Sequence, residues 1–347
     1  MPALLLHAIL AGTLLFFVGD LVLAQPELAP AMAEDKRLLP YVEPGQQVDI
    51  GGRRINLHCT GVAGGPTVIL MAGLFSWSVV WYKTQPVIAQ KSRVCAFDRA
   101  GYGFSDPGPR PQILSDVVDD LHAALNAGSI PGPYVLVGHS LGGIEARLYA
   151  QRWPKEVVGM VLVDTSPAGE GLIDENQPGF DEMAGRESYA ADMLHCAFLV
   201  ASGPLDPSRP EYKGCSAALP SDTPAAFRTI APQFFTAYYF TDKVSLMSSV
   251  YTHRYDSVDH RRLGAMPLVV LSADYSWGRA GTPVGVWYHR SYSKVWNARH
   301  EALAHLSSRG VHRIINGSPH EIQLEKPQAV IDAVDEVLRK LHDGAKS

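Results

Sequence analysis

Ser140 lies between two glycines in Gly138-His139-Ser140-Leu141-Gly142, directly after the apolar run Tyr134-Val135-Leu136-Val137. A serine hydroxyl is a weak nucleophile near neutral pH. It needs an imidazole within hydrogen-bond reach to take its proton, and a carboxylate to fix the tautomer of that imidazole. The chemistry open to such a group is acyl transfer to water, in which an oxyanion forms and must be met by preorganised donors.

The surrounding elements fit that task. Val135 to Val137 read as a buried strand, and Leu141 to Trp153 as a helix with Pro154 just past its end, so Ser140 falls on a strand-to-helix turn. Side chains at 138 and 142 would collide with the neighbouring strand and helix, which makes glycine a steric requirement there. The helix starting at Leu141 directs its free amides and positive dipole end at the space above Ser140.

Further strands are predicted at 67–71, 93–97, 157–163, 267–271 and 311–315, and a hairpin at 47–59 about Gly51-Gly52. Helices are predicted over 76–90, with Trp77, Trp81 and Tyr82, and over 112–127, where Ile113, Val117, Leu121 and Leu125 share a face. A helical segment carrying Trp287, Val295 and Trp296 and an amphipathic helix over 327–341 complete the pattern. His122 reads as a surface or packing residue, and Glu145 and Arg147 as serving solvent and packing. From 167 to about 263 the strand-helix alternation lapses.

The run Asp98-Arg99-Ala100-Gly101-Tyr102-Gly103-Phe104-Ser105, together with the glycine-flanked Ser140, resembles the α/β-hydrolase superfamily. Over residues 55–341, the lapse apart, this implies an α/β fold. Its mostly parallel eight-stranded sheet is flanked by helices, with a helical lid inserted after the sixth strand. The resulting division is a core in two parts, 45–166 and 266–343, around a lid at 167–265. Asp98 and Arg99 are expected to hydrogen-bond the backbone of their loop rather than to act in catalysis.

The resemblance also assigns roles. His320, in Asn316-Gly317-Ser318-Pro319-His320 before Lys326-Pro327, has the context of the family's catalytic histidine, alone among thirteen histidines. The acid is Asp164, ending one strand, or Asp274, following the next; the unambiguous strand before Asp164 favours it. The oxyanion donors are the amides of Leu141 and of Leu74 or Phe75, in Ala72-Gly73-Leu74-Phe75, where Ala72 replaces the usual histidine. Phe234, Phe235, Tyr238 and Tyr239 are candidate substrate-binding residues in the lid, or equally its own small core.

The chain has 347 residues and a net charge of −5, offering no basic face for nucleic acid. Residues 1–24 are nearly all apolar and read as a signal peptide or a membrane anchor, with 25–44 as a linker. Either reading places the protein outside the cytoplasm, secreted, periplasmic or anchored, with membrane association through that segment. Because the resemblance makes the second and fourth strands neighbours, Cys59 and Cys95 are expected to form one disulfide. Cys196 and Cys215, in one segment, form the other. No cysteine and histidine spacing resembles a zinc site, and no metal or cofactor is implied.

Carboxylic ester hydrolysis on an apolar or aromatic small molecule is the leading expectation. Lactone, amide or carbon–carbon hydrolysis and non-catalytic ligand binding are the alternatives. Relatives that open epoxides use an aspartate nucleophile, against which Ser140 argues.

Overall fold

A computed structural model describes residues 34–344, apart from 75, 167–181, 207, 213, 216–218, 220, 253–262 and 275–282. Eight strands form one sheet in the order β1-β2-β4-β3-β5-β6-β7-β8. They are β1 (Gln46–Asp49), β2 (Arg54–Thr60), β3 (Thr67–Met71), β4 (Val94–Phe97), β5 (Tyr134–His139), β6 (Val157–Val163), β7 (Leu268–Ala273) and β8 (Gly310–Ile315). β1 pairs antiparallel with β2, and β2 antiparallel with β4; every other pairing is parallel.

The helices are α1 (Gln85–Ile88), α2 (Leu114–Ala127), α3 (Leu141–Arg152), α4 (Glu182–Ala201), α5 (Ala225–Ile230), α6 (Ala237–Thr252), α7 (Pro283–Ala304), α8 (Ile322–Glu325) and α9 (Pro327–Gly344). Alternate residues of the central strands feed two cores. Ile69, Met71, Leu136 and Leu162 face α2 and α3, whereas Val68, Leu70, Val135, Val137 and Val163 face α9. Covering both faces is why these strands read as unbroken apolar runs.

The helix expected over 76–90 is instead a 3-10 turn, Ser78–Trp81, and the short α1. Pro86 lacks an amide hydrogen and would press its ring on the carbonyl of Tyr82, so one continuous helix cannot form. Cys59 stands opposite Cys95 in the β2–β4 ladder, and the two are bonded, as are Cys196 and Cys215. Two disulfides point to an oxidising compartment.

Between β6 and β7 the described chain is helical. α4 packs on α6, and the second disulfide ties α4 to the turn that follows it. The described N-terminal end docks here too, through Asp35 N–H to the Asp222 carbonyl (2.7 Å) and Ala225 N–H to Glu34 Oε1 (3.0 Å). Among the described residues no helix is long and apolar enough to cross a membrane. The segment expected as signal or anchor lies outside them.

Candidate active site

Ser140 joins β5 to α3 with φ 52° and ψ −118°. A positive φ in a non-glycine residue costs on the order of 1–3 kcal/mol and persists only where the surroundings impose it. Here its N–H donates to the Val163 carbonyl (3.0 Å), and its carbonyl accepts from Gly143 N–H (3.0 Å) and Thr165 Oγ1 (2.9 Å). A Cβ at Gly138 would stand 2.3 Å from the Gly142 carbonyl oxygen, and one at Gly142 would stand 2.2 Å from that of Met71. Both clashes are with backbone, which cannot swing aside.

Asp164, the first residue after β6, is fully buried and has φ 41°. Its Oδ2 meets His320 Nδ1 at 2.6 Å, while Oδ1 accepts from Ala273 N–H (2.9 Å) and Trp296 Nε1–H (2.8 Å). Asp274 is elsewhere: its Oδ2 accepts from Gly317 N–H (3.0 Å) and its own N–H donates to the Ser318 carbonyl (2.9 Å). Asp164 therefore meets the imidazole, and Asp274 braces the loop that carries it.

Burial alone would push the His320 pKa down, but the hydrogen bond to Asp164 and its charge hold it above the ordinary imidazole value. The side chain keeps 35% of its surface, so desolvation is incomplete and the carboxylate prevails. His139, next to Ser140, packs its ring 4.6 Å from that of His320 and donates through Nε2 to the His320 carbonyl (3.1 Å). Burial first, and then the charge of His320, push His139 down to about 3, so it is neutral. This contact seats the His320 loop against the serine turn.

The Ala72–Leu74 loop is held from below. Arg99 Nη1 donates to the Gly73 carbonyl (2.9 Å) and Nη2 to that of Ala72, while Nε and Nη2 bind Glu145 at 2.7 and 2.9 Å. In a trans peptide the C=O and the following N–H point in opposite directions. Gripping the Gly73 oxygen thus turns the Leu74 N–H away from Arg99. Leu141 opens α3, so its amide has no acceptor within the helix. Phe75 lies outside the described residues.

Sequence reasoning missed the Arg99–Glu145 pair. Glu145 is fully buried and Arg147 nearly so, rather than facing solvent. The available signal was their setting in Leu-Gly-Gly-Ile-Glu-Ala-Arg-Leu-Tyr-Ala, a helix with too few polar residues to have a wet face. Arg99 reaches the carbonyls of 72 and 73 rather than its own loop. Asp98 does bind that loop, at Phe104 N–H (3.1 Å), and also Ser78 N–H (2.7 Å) and Asn56 Nδ2 (2.8 Å). Trp296 and His139 were also missed, since neither contact is local in sequence.

Phe234, Tyr238 and Tyr239 are buried and Phe235 is half-buried. Phe234 packs on Trp77 and Phe104 (5.1 and 5.0 Å between centroids), Phe235 on Trp77 (6.4 Å), and Tyr239 on Tyr102 (4.9 Å). Tyr238 accepts from Gly108 N–H at 3.0 Å. These rings fasten the inserted helices to the core loops. Among the described residues no group of three or more histidine, cysteine or acidic side chains could hold a metal ion.

A family model described as the alpha/beta hydrolase fold matches residues 66–192. An uncharacterized protein of Bacillus subtilis, YbdG, is 29% identical over 126 residues, 35% of this chain and 37% of that one. The pimeloyl-[acyl-carrier protein] methyl ester esterase of Shewanella woodyi is 32% identical over 126 residues, 36% and 45% of the two chains. The chain thus spans less than half the length of these relatives. Among solved structures, the epoxide hydrolase CorEH superposes with a TM-score of 0.61 at 15% identity, covering 85% of this chain and 98% of that one. With this sheet order and the serine turn at its C-terminal edge, the chain has the α/β-hydrolase fold.

Proposed function

We propose that the protein is a serine hydrolase that cleaves a carboxylic ester, or a related acyl compound, through an acyl-enzyme. The observation that carries this reading is the 2.6 Å contact between His320 Nδ1 and Asp164 Oδ2, beside the strained turn that bears Ser140. With Nδ1 committed to Asp164, Nε2 of His320 is the nitrogen left to take the Ser140 proton. Ser140 Oγ attacks the acyl carbon, and the Leu141 and Leu74 amides receive the oxyanion. His320 then returns the proton to the leaving alcohol, and water, deprotonated by the same ring, releases the acid.

Sequence likeness to a protein named as a methyl ester esterase supports ester chemistry, whereas likeness to an epoxide hydrolase speaks for the fold alone. The aromatic-rich inserted helices favour an apolar acyl or aromatic substrate. The apolar N-terminal segment and the two disulfides favour a site of action outside the cytoplasm, with the N-terminal segment at a membrane.

A fluorophosphonate reagent tests the reading. It should label the wild-type protein and leave Ser140→Ala unlabelled, and p-nitrophenyl esters of rising chain length should then report the pocket. A folded wild-type protein that resists the reagent would sink the proposal in favour of ligand binding without turnover. Labelling without ester turnover would turn the search to lactones, amides and carbon–carbon bonds.

A further inference from the structure

Helix α7 grips the residues after β6 at two points one turn apart. Trp296 donates to Asp164 Oδ1, and His300 Nε2 meets the Thr165 carbonyl at 2.6 Å. Asp164 sits at positive φ, so the grip has a strained backbone to hold. Thr165 in turn donates to the Ser140 carbonyl, which couples this segment to the serine turn.

Behind His300 runs a chain of polar contacts. His300 Nδ1 meets Ser272 Oγ at 2.5 Å, Ser272 Oγ meets His312 Nε2 at 2.7 Å, and His312 Nδ1 meets Glu301 Oε2 at 2.9 Å. His300 and Ser272 are fully buried, so their polar atoms have no recourse to water. Both ends of the chain, a carbonyl and a carboxylate, only accept. Four hydrogen bonds therefore need four hydrogens, and one hydroxyl with two neutral imidazoles supplies three. The fourth makes one ring an imidazolium. Burial holds His300 below the ordinary imidazole value, which leaves the charge to His312 beside Glu301.

The direction of every bond follows. His312 donates from both nitrogens, so Ser272 accepts from it and can send its own hydrogen only to His300 Nδ1. His300 must then carry its single hydrogen on Nε2, where Thr165 needs it. From this pattern we infer that His300 is a positioning residue for Asp164, its Nε2–H fixed by the Thr165 carbonyl and its Nδ1 satisfied through Ser272 by a doubly protonated His312 held on Glu301. The titratable groups around His300 are Asp164 after β6, His320 after β8, His312 on β8, and Glu301 on α7 with His305 just beyond it. Only the kinetic consequence rests on the hydrolase reading; the bond pattern stands apart from it.

Nitrogen-15 histidine spectra of the full chain near pH 7 should show His300 as the Nε2–H tautomer and His312 protonated on both nitrogens. In Ser272→Ala, where His312 Nε2 loses its acceptor, the doubly protonated form of His312 should give way to the neutral ring. His300→Phe should lower kcat by on the order of 10- to 100-fold at unchanged KM, with active sites counted by fluorophosphonate titration. His300→Gln, whose amide can still donate to Thr165, should recover most of that loss. A neutral His312 in the wild-type protein, a doubly protonated His312 unchanged in Ser272→Ala, or a His300→Gln no better than His300→Phe would each overturn the inference. If the wild-type protein does not label at all, the proposed reaction falls, and the spectra alone uphold or overturn the bond pattern.

Discussion

Arg99 and Glu145 form a fully buried, bidentate ion pair that joins the loop after β4 to helix α3, and the same guanidinium holds the carbonyls of Ala72 and Gly73. One side chain thus fixes the relative position of the two elements expected to supply the oxyanion donors. Burial pushes the Glu145 carboxyl up, and the charge and hydrogen bonds of Arg99 oppose that. Removing either partner would strand a charge inside the core.

Arg99→Lys keeps the charge but loses the planar fork that spans Glu145 and two carbonyls. Freed of its anchor, the Gly73–Leu74 peptide can rotate and carry the Leu74 amide off the oxyanion. The expected result is a fall in kcat of on the order of 10²-fold with little change in KM. Arg99→Met should in addition cost about 3–5 kcal/mol in a denaturant titration. Unchanged turnover in Arg99→Lys would mean that the loop does not depend on this anchor.

Asp164→Asn and Asp274→Asn should separate cleanly. The first removes the carboxylate from His320 and should lower kcat on the order of 10⁴-fold. The second weakens one bond to Gly317 N–H, and should lower stability by about 0.5–1.5 kcal/mol with turnover nearly kept. Steady-state assays on both variants, with melting curves beside them, decide between the two acids. The reverse pattern would move the acid to Asp274.

The pH profile carries its own prediction. His320 must be neutral to act as a base, and Asp164 raises its pKa, so the acid limb of kcat/KM should lie above the ordinary imidazole value of about 6.5. In Asp164→Asn burial is left unopposed, and the limb of the residual activity should move to lower pH. The stability linked to this pair has the opposite sense. A raised folded-state value means the contribution is complete below about pH 6.5 and is lost as pH climbs through the folded pKa. Melting temperatures of wild type and His320→Gln should therefore converge above neutrality, whereas a gap that widens with pH would show the sign to be wrong.

What could be read from the chain and what could not divides along a physical line. The serine turn, the flanking strand and helix, and the Asp98–Ser105 loop are written in glycine placement and apolar periodicity over a few residues. The Cys59–Cys95 bridge followed from the strand order that the α/β-hydrolase resemblance implies. Asp164 was favoured over Asp274 on its unambiguous strand, but the contact that sets it apart, to the His320 loop across 156 residues, is one that no local pattern encodes. Glu145, Trp296 and His300 were invisible for the same reason. A charged or polar residue in a helix reads as solvent-facing until its partner, on another element, is in view.

The disulfides should differ in what they protect. By loop-closure entropy, the 36-residue separation of Cys59 and Cys95 corresponds to about 4 kcal/mol, and the 19-residue separation of Cys196 and Cys215 to about 3 kcal/mol. The first bridge joins strands that already share a ladder, so Cys59→Ala with Cys95→Ala should lower the melting temperature and leave the kinetics alone. The second ties α4 to the adjoining turn of the inserted helices, which fasten to the core through Phe234 and Tyr239 against Trp77, Phe104 and Tyr102. Its removal should raise KM for long-chain p-nitrophenyl esters more than for the acetate, because a looser α4 disturbs the helices that would cover the acyl chain. Equal effects on short and long esters would place the acyl chain elsewhere.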